Sequence, residues 1–144
     1  MKLLTKTLTF RDSIPTIITL CGSTKFRDEF HKTNAILTGK GHIVLSVGFF
    51  MHSEETPVSD EQKRALDVLH FRKIDASDAI YVINVGGYIG ASTAREIAYA
   101  VATHKEICWL DATLGDKFMS DNSHPLGRMV AAFVEGRIPE LWTP

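Results

Sequence analysis

Short apolar runs alternate along the chain with longer segments in which apolar residues recur at helical spacing. The apolar runs are rich in β-branched residues, which predicts strands buried on both faces, at 16–21, 42–47, 79–84 and 106–110. The helical patterns lie at 24–38, 59–76, 93–104 and from Pro125 to Gly136. Strands that alternate with helices are typical of a parallel sheet with helices on both faces. We therefore predict an α/β fold with four strands, or five if residues 3–10 add an edge strand.

The connecting segments contain signals that begin helices and mark loops. Ser59 with Gln62 forms a capping box that starts the second helix. Segments without a period, at 48–58 and 111–124, are predicted to be loops. In open α/β sheets, ligands bind beyond the carboxyl ends of the strands. The sequence segments at that edge are 22–27, 46–52, 84–96 and 111–124, so we seek candidate site residues there.

Composition and charge narrow the classes of function. The 144 residues fit one domain, 1–144, and a hydrophobic fraction of 44% is ordinary for a globular protein. Sixteen Lys and Arg against seventeen Asp and Glu give a net charge of -1, which argues against a dedicated nucleic-acid-binding protein. No apolar run approaches the roughly 20 residues that span a bilayer, and the residues before the first strand lack the apolar stretch of about 7–15 residues that is typical of a signal peptide. We expect a soluble cytoplasmic protein without a membrane partner.

Two cysteines, Cys21 and Cys108, lie at the ends of apolar runs. This position favours buried thiols in a reducing compartment over a disulfide framework or a metal site. We therefore expect neither a metal nor a cofactor. Trp109 and Trp142 are predicted to lie in the core or an interface. His31, His42 and His104 are predicted to lie at the surface.

The first strand-to-helix turn, CGSTKFR at 21–27, has the residues of an anion site. Gly22 permits a tight turn, Ser23 and Thr24 can cap the helix, and exposed backbone N–H groups attract negative charge. An ordinary helix cap explains the same residues. Lys25 and Arg27 favour the anion, because a helix dipole disfavours each first-turn cation by roughly 0.3–1 kcal/mol. The pattern is neither a P-loop nor a dinucleotide fingerprint.

The second strand-to-helix turn, NVGGYIGASTARE at 84–96, repeats this arrangement. Ser92 and Thr93 stand at the predicted helix start, with Arg95 in the first turn. Two such helix starts on neighbouring strands indicate a nucleotide-sized ligand that carries phosphate. Glu96 has two interpretations. It completes a Thr93-x-x-Glu96 capping box, or it is a carboxylate nucleophile or oxocarbenium stabiliser at the ligand edge.

Three segments together carry a family resemblance: CGSTKF at 21–26, His70-x-x-x-Ile74-x-x-Ser77-Asp78 before a strand, and GYIGASTAREIAYA at 87–100. They resemble the nucleoside 2-deoxyribosyltransferase superfamily, which includes deoxynucleoside 5′-monophosphate N-glycosidases and CMP N-glycosidases. The resemblance covers roughly residues 16–110. It implies a flavodoxin-like or Rossmann-like fold and an enzyme that breaks an N-glycosidic bond.

The resemblance also implies roles for individual residues. Glu96 matches the family nucleophile, with Ser92 in place of a family Gly, and the first turn and Ser92 would hold a 5′-phosphate. Phe49, Phe50 and His52 in the long loop can stack on a base, or they form a hydrophobic plug. The candidate substrate-binding residues are Gly22, Ser23, Thr24, Lys25, Arg27, Phe49, Asn84, Gly90, Ser92 and Thr93.

Two positions depart from the family pattern. His70 stands where the family commonly has an Asp near the sugar or the leaving base, and Asn84 stands where a second Asp often follows the third strand. A histidine can act as a general acid near neutral pH, so His70 is compatible with hydrolysis of the glycosidic bond. The alternative is that His70 only packs or forms hydrogen bonds near the sheet.

We therefore predict an N-glycosidase that hydrolyses a ribo- or deoxyribonucleoside 5′-monophosphate, with Glu96 and His70 as catalytic residues. One alternative is a nucleoside 2-deoxyribosyltransferase that uses free nucleosides. Another is a nucleotide-binding or sensing module without catalysis. The cytokinin-activating phosphoribohydrolases have a similar glycine-rich turn, which this chain matches only in part.

The C-terminal part is expected to form contacts between subunits. Family dimers often complete the site with polar residues from a neighbour's C-terminal part, and Asp121, Asn122 and His124 are the candidates here. The stretch is also unusually apolar. We predict a homodimer with residues 115–134 near the interface, so the expected partners are a nucleotide substrate and a second copy of the chain.

Overall fold

A computed structural model describes residues 14–48, 58–121, 123 and 125–136. Within these ranges the strands are β1 (Ile17–Gly22), β2 (Ile43–Leu45), β3 (Ala79–Ile83) and β4 (Glu106–Trp109). The helices are α1 (Arg27–Gly39), α2 (Asp60–Asp75), α3 (Ala91–Ala102), α4 (Ala112–Ser120) and α5 (Leu126–Val134). Two 3-10 turns, Thr24–Phe26 and Val85–Gly87, follow β1 and β3.

The strands form a parallel sheet in the order β2-β1-β3-β4. β1 lies at the centre, where Ile18 pairs with Val44 of β2 and with Ala79 of β3. The predicted α/β fold with a flavodoxin-like or Rossmann-like parallel sheet is confirmed. The described residues contain four strands of this sheet, and the candidate edge strand at 3–10 lies outside them.

Alternate residues of the strands face opposite sides of the sheet and form two hydrophobic clusters. On one face, Phe30 and Leu37 of α1 pack against Ile18, Leu20 and Ile83. On the other face, α2, α3 and α5 cover the sheet through buried residues that include Phe71, Ile74, Ile97, Tyr99 and Leu126. Helices on both faces explain why the strands are continuous apolar runs rather than alternating ones.

Helix α3 begins two residues earlier than the sequence pattern predicts. It starts at Ala91, with Gly90 as the N-cap and no side-chain cap. Thr93 is therefore the third residue of the helix, and Arg95 lies beyond the first turn. The predicted capping box between Thr93 and Glu96 is not formed, because neither residue stands where a cap is needed.

The prediction of an irregular loop at 111–124 is wrong for most of its length, because α4 occupies it. Asp111 caps this helix by accepting a hydrogen bond from the backbone N–H of Leu114 at 3.0 Å. Phe118 packs on Trp109, with ring centroids 6.3 Å apart. The cap and the four-residue spacing of Leu114 and Phe118 are helix signals that the polar composition of the segment conceals.

One local prediction is confirmed and another is wrong. The backbone N–H of Gln62 donates to Ser59 Oγ at 3.1 Å, and that of Ser59 donates to Gln62 Oε1 at 3.0 Å, which forms the predicted capping box. His42, expected at the surface, is only 4% exposed. Its backbone N–H donates to the carbonyl oxygen of Leu37, which encloses it in the α1–β2 connection.

Both cysteines are buried free thiols, as predicted. Among the helices that the structure describes, none has the length and apolar character needed to cross a bilayer.

Candidate functional site

The carboxyl ends of β1 and β3 are paired neighbours, and a glycine turn follows each of them. Gly22 ends β1 opposite Ile83 of β3. A Cβ at Gly22 would come within 3.0 Å of Ile83 Cβ and 3.1 Å of its carbonyl oxygen, so this close approach requires glycine. After β3, Gly86 and Gly87 have φ angles of 61° and 82°, which favour glycine as well. Both turns therefore open at the same edge of the sheet.

A cavity of about 230 Å³ lies between the two turns, and we call it the turn cavity. Six of the predicted substrate-binding residues line it: Gly22, Ser23, Thr24, Gly90, Ser92 and Thr93. The remaining lining residues are Lys63, Asp67, Tyr88, Ala91 and Glu96. The structure thus brings together most of the two motifs that sequence analysis singled out separately.

Hydrogen-bond donors are available at the turn cavity. Thr24 Oγ1 is buried and has no hydrogen-bond partner among the described residues. Because α3 lacks a side-chain cap, no side chain occupies the backbone N–H groups of its first turn. Ser92 Oγ accepts a hydrogen bond from Arg95 Nη2 at 3.2 Å, so the hydroxyl proton of Ser92 is directed to another acceptor. Such donors at a helix start suit an anion.

A second cavity, of about 270 Å³, adjoins the first, and we call it the helix cavity. It is lined by Val47, Gly48, Leu66, Asp67, Leu69, His70, Lys73 and Glu96. Asp67 and Glu96 line both cavities. Ligand pockets usually hold about 300 Å³ or more, which the two cavities reach only together. The junction at Glu96 is therefore the centre of the candidate site.

Glu96 meets two other reactive side chains at this junction, each from a different element. Its Oε1 lies 3.7 Å from His70 Nε2 of α2, and that nitrogen lies 3.5 Å from Cys21 Sγ at the end of β1. The Cys21 thiol, His70 Nε2 and a Glu96 carboxyl oxygen all lie within 4.8 Å of one another. Glu96 Oε2 is buried without a hydrogen-bond partner among the described residues. A carboxylate oxygen in this state is available to a ligand.

Burial disfavours charge at this junction. It raises the pKa of Glu96 from 4.5 to about 8, with a further rise from Asp67, while Cys21, Arg95 and Lys63 oppose the shift. Burial and the charge of Lys73 lower the pKa of His70 to about 4, against a hydrogen bond with the backbone of Leu20. At pH 7 the free protein therefore holds Glu96 protonated and His70 neutral, so their contact is not an ion pair.

Burial also raises the pKa of the Cys21 thiol well above its ordinary value, and Glu96 adds to the rise. The low pKa of His70 changes the role that sequence analysis assigned to it. A neutral His70 is a proton acceptor in the free protein, whereas the sequence suggested a general acid.

Two predicted substrate-binding residues, Lys25 and Arg27, line neither the turn cavity nor the helix cavity. The Lys25 ammonium lies over the Tyr88 ring, 3.4 Å from its centroid, and 5.2 Å from the Phe26 centroid. Arg27 is exposed on α1 and its Nε donates to His31 Nε2 at 3.4 Å. Lys25 instead supports Tyr88, which does line the turn cavity.

Asn84, a further predicted substrate-binding residue, has a structural role in place of the predicted one. Its side chain is fully buried, and its Nδ2 donates to the carbonyl oxygen of Asp111 at 2.9 Å. The backbone N–H of Asp111 donates back to Asn84 Oδ1 at 2.9 Å. Both ends of the amide are therefore engaged in holding the β4–α4 connection to β3.

Several predictions lie outside the described residues. These are the base-stacking candidates Phe49, Phe50 and His52, the loop residues Asn122 and His124, and Trp142. Asp121 is described and accepts a hydrogen bond from the backbone N–H of Ser123 at 2.9 Å.

Sequence analysis did not single out Asp67, although it lines both cavities. Asp67 is 30% exposed and pairs with Lys63 at 3.3 Å on the same helix. It precedes His70 by three residues, and this spacing puts both side chains on one face of α2. That spacing was the available signal, but it has meaning only once His70 is known to face the site.

The chain matches no known family model, no curated protein and no solved structure. The resemblance to the nucleoside 2-deoxyribosyltransferase superfamily therefore rests on the motifs at 21–26, 70–78 and 87–100. The activity that this resemblance implies is a proposal, which the geometry of the two cavities supports.

Proposed function

We propose that the protein is an N-glycosidase that hydrolyses a nucleoside 5′-monophosphate to a free base and a sugar phosphate. The observation that carries this proposal is the position of the Glu96 carboxyl group at the junction of two cavities of different character. One cavity has donors suited to a phosphate, and the other has apolar walls suited to a base. A carboxyl group between them would face the sugar carbon that joins the two parts.

The phosphate would occupy the turn cavity. Thr24 Oγ1 lacks a partner among the described residues, and the first turn of α3 lacks a side-chain cap. Ser92 can donate its hydroxyl proton while it accepts from Arg95. These donors supply hydrogen bonds to a charged acceptor, each worth about 1.5–3 kcal/mol. They come from two turns, so they can approach a tetrahedral phosphate from two sides.

The base would occupy the helix cavity. Leu66 and Leu69 of α2 are 37% and 53% exposed and give this cavity an apolar wall. His70 and Lys73 add polar groups that can contact a heterocycle. His70 Nε2 faces Glu96, so a proton delivered by His70 would reach the bond between base and sugar.

The chemistry follows from the protonation states. We infer that, in the reacting complex, the proton of Glu96 passes to neutral His70, which leaves a carboxylate and an imidazolium. Because the pKa of Glu96 is about 8 and that of His70 is about 4, this transfer is uphill by roughly 5 kcal/mol and forms part of the activation barrier. The carboxylate attacks C1′ as the bond to the base breaks, and His70 gives its proton to the departing nitrogen. Water then attacks C1′, its proton passes to His70, and Glu96 leaves as a carboxylate. The 3.7 Å contact would shorten in the complex, as is common for catalytic hydrogen bonds.

The experiment is to incubate the protein with a panel of nucleoside 5′-monophosphates and to detect free base by chromatography. Glu96→Gln keeps the size of the side chain and removes the nucleophile, so we expect at least a hundredfold loss of cleavage. Glu61→Gln, an exposed position on α2, serves as the matched control and should cleave at the parental rate.

Each other outcome assigns a different function. Equal turnover by Glu96→Gln would show that Glu96 is not the nucleophile. Exchange of bases between free nucleosides, without hydrolysis of monophosphates, would favour a deoxyribosyltransferase. Binding of nucleotides without any release of base would favour a sensing module.

We further infer that the protein acts as a homodimer in a reducing compartment, as in the cytoplasm. Met119 of α4 is 40% exposed and lines a shallow cavity of about 740 Å³ together with residues of α5, and Val134 at the end of α5 is 67% exposed. Two buried free cysteines suit a compartment that keeps thiols reduced.

A further inference from the structure

We propose that Cys21, His70 and Glu96 form a binding site for a borderline divalent metal ion such as Zn²⁺. The three residues come from β1, α2 and α3, so their spacing in the sequence does not match a metal-binding motif. Their potential ligand atoms all lie within 4.8 Å of one another. Binding of the metal does not depend on the proposed glycosidase activity.

The distances fit a tetrahedral ion without rearrangement of the backbone. Zinc bonds sulfur at about 2.3 Å and nitrogen at about 2.0–2.1 Å, which separates those two ligand atoms by about 3.5 Å in a tetrahedron. Cys21 Sγ and His70 Nε2 are 3.5 Å apart. The corresponding nitrogen–oxygen separation is about 3.4 Å, and His70 Nε2 lies 3.7 Å from Glu96 Oε1. These two separations therefore need only a few tenths of an ångström of side-chain movement. The third pair, Cys21 Sγ and the Glu96 carboxyl oxygen, lies within 4.8 Å, and a movement of the Glu96 side chain by roughly 1 Å brings it to the tetrahedral value of about 3.6 Å.

The cluster is held rigidly before any ion arrives. Cys21 is fully buried and His70 is 7% exposed, so packing already restricts the rotamers of both side chains. Little conformational entropy remains to be lost on binding.

The chemistry of the three ligands selects the ion. Metal binding displaces the protons of the Cys21 thiol and the Glu96 carboxyl group into solvent. The resulting thiolate and the neutral imidazole favour Zn²⁺ or Co²⁺, whereas Mg²⁺ and Ca²⁺ prefer oxygen ligands only. Three protein ligands leave one tetrahedral position for water or a ligand. Because His70 and Glu96 both line the helix cavity, this cavity gives an ion a route to the cluster.

The metal would act as an inhibitor of the proposed reaction. An ion bound to Glu96 occupies the carboxylate that would attack C1′, and it removes His70 as a proton acceptor. This consequence rests on the proposed function, whereas the metal site itself does not. We therefore expect Zn²⁺ to stop cleavage and a chelator to restore it.

The test is a titration of the metal-free full-length protein with Co²⁺, which reports a thiolate ligand through a charge-transfer band in the near ultraviolet. Calorimetry with Zn²⁺ supplies the stoichiometry and affinity. We expect one ion per chain and a charge-transfer band, with no comparable binding of Mg²⁺. Loss of a residue that only supports a ligand costs about 10–100-fold in affinity, so Cys21→Ala and His70→Gln should each weaken Zn²⁺ binding at least about 100-fold.

Matched variants keep the test specific. Cys108→Ala removes the other buried thiol, on β4, and His31→Gln removes an exposed histidine on α1, so both should bind Zn²⁺ as the parent does. Glu96→Gln replaces the third ligand with a side chain of equal size and gives the same information if Cys21→Ala does not fold. Its circular dichroism provides the check on folding.

Two results would overturn the proposal: no charge-transfer band with Co²⁺, or binding of Zn²⁺ by Glu96→Gln and His70→Gln that equals the parent. The metal site and the glycosidase activity can be refuted independently of each other. A protein that binds zinc at these residues but releases no base from any nucleotide would refute the glycosidase alone. A protein that cleaves nucleotides but binds no zinc would refute the metal site alone.

Discussion

At the residue scale, Glu96 shows how one side chain can oppose folding and favour function. It is 15% exposed, one of its oxygens has no partner among the described residues, and burial raises its pKa to about 8. A side chain selected only for stability at this position would have no ionisable group, or all of its polar atoms would be hydrogen-bonded. The cost to folding is explained if the carboxyl group is retained for a reaction.

This cost predicts how stability depends on pH. The folded protein keeps the Glu96 proton up to about pH 8, whereas the ordinary pKa of the group is 4.5. Between these values the unfolded chain holds fewer protons, so the contribution of Glu96 to stability falls as pH rises. Glu96→Gln removes this loss. We expect its melting temperature in metal-free buffer to exceed that of the parent at pH 8 by more than it does at pH 5.

Thermal unfolding followed by circular dichroism at the two pH values checks this. Each kcal/mol shifts the melting temperature of a domain of this size by roughly 4 °C, so a difference of several degrees is measurable. Glu61→Gln, which is exposed, should show no such change in the gap. A gap for Glu96→Gln that stays constant from pH 5 to pH 8 would contradict the raised pKa.

At the element scale, the start of α3 decides how Glu96 is interpreted. The sequence Thr93-x-x-Glu96 allows a capping box, and only the observed start at Ala91 removes it. Strands and helix α2 were predictable, because apolar runs and a Ser–Gln capping box are local signals. The helix α4 and the contact of His70 with Glu96 were not, because the first lies in a polar segment and the second joins residues 26 positions apart.

Asn84 belongs to this scale because it joins two elements rather than a ligand. Asn84→Ala would leave both the N–H and the carbonyl oxygen of Asp111 without the hydrogen bonds that they now have, at about 1–3 kcal/mol for each group left unsatisfied. We expect a melting temperature lower by several degrees and an unchanged KM for nucleotide in the folded protein. Asn34→Ala in α1, where the amide accepts only from Thr38, should have a smaller effect. A raised KM without loss of stability would return Asn84 to the binding site.

The two helix starts predict a preference for phosphate. Ser92 and Thr24 can each donate a hydrogen bond to a phosphate in the turn cavity. One or two such contacts, of about 1.5–3 kcal/mol each, would dominate the difference in binding free energy between a nucleotide and its nucleoside. We expect a nucleoside 5′-monophosphate to bind or react at least tenfold better than its nucleoside, with sulfate as a competitor. Ser92→Ala should reduce this preference, while Ser120→Ala at the end of α4 should not. Equal handling of nucleoside and monophosphate would favour the transferase.

At the scale of the whole molecule, the candidate site and the candidate contact surface involve different residues. The carboxyl edge of the sheet carries the turn cavity and the helix cavity together with Cys21, His70 and Glu96, so we expect a ligand to enter there. Helices α4 and α5 follow the last strand, and their exposed apolar side chains include Met119, which lines a shallow cavity, and Val134. Exposed apolar side chains that form a continuous patch are typical of contacts between subunits.

This surface predicts the oligomeric state. Met119 and Val134 are 40% and 67% exposed, and burying them against a second copy would stabilise the dimer by removing apolar area from water. A stable dimer needs about 800 Å² from each partner, which α4 and α5 can contribute only together with neighbouring segments. Light scattering at micromolar concentration should therefore give twice the 16.0 kDa mass of one chain.

Met119→Asp with Val134→Asp should give the monomer, whereas Ile36→Asp, on the exposed side of α1, should leave the dimer intact. If the parent is a monomer, or if Ile36→Asp dissociates the dimer as fully as the paired change, the interface does not lie on α4 and α5, and the site must be complete within one chain.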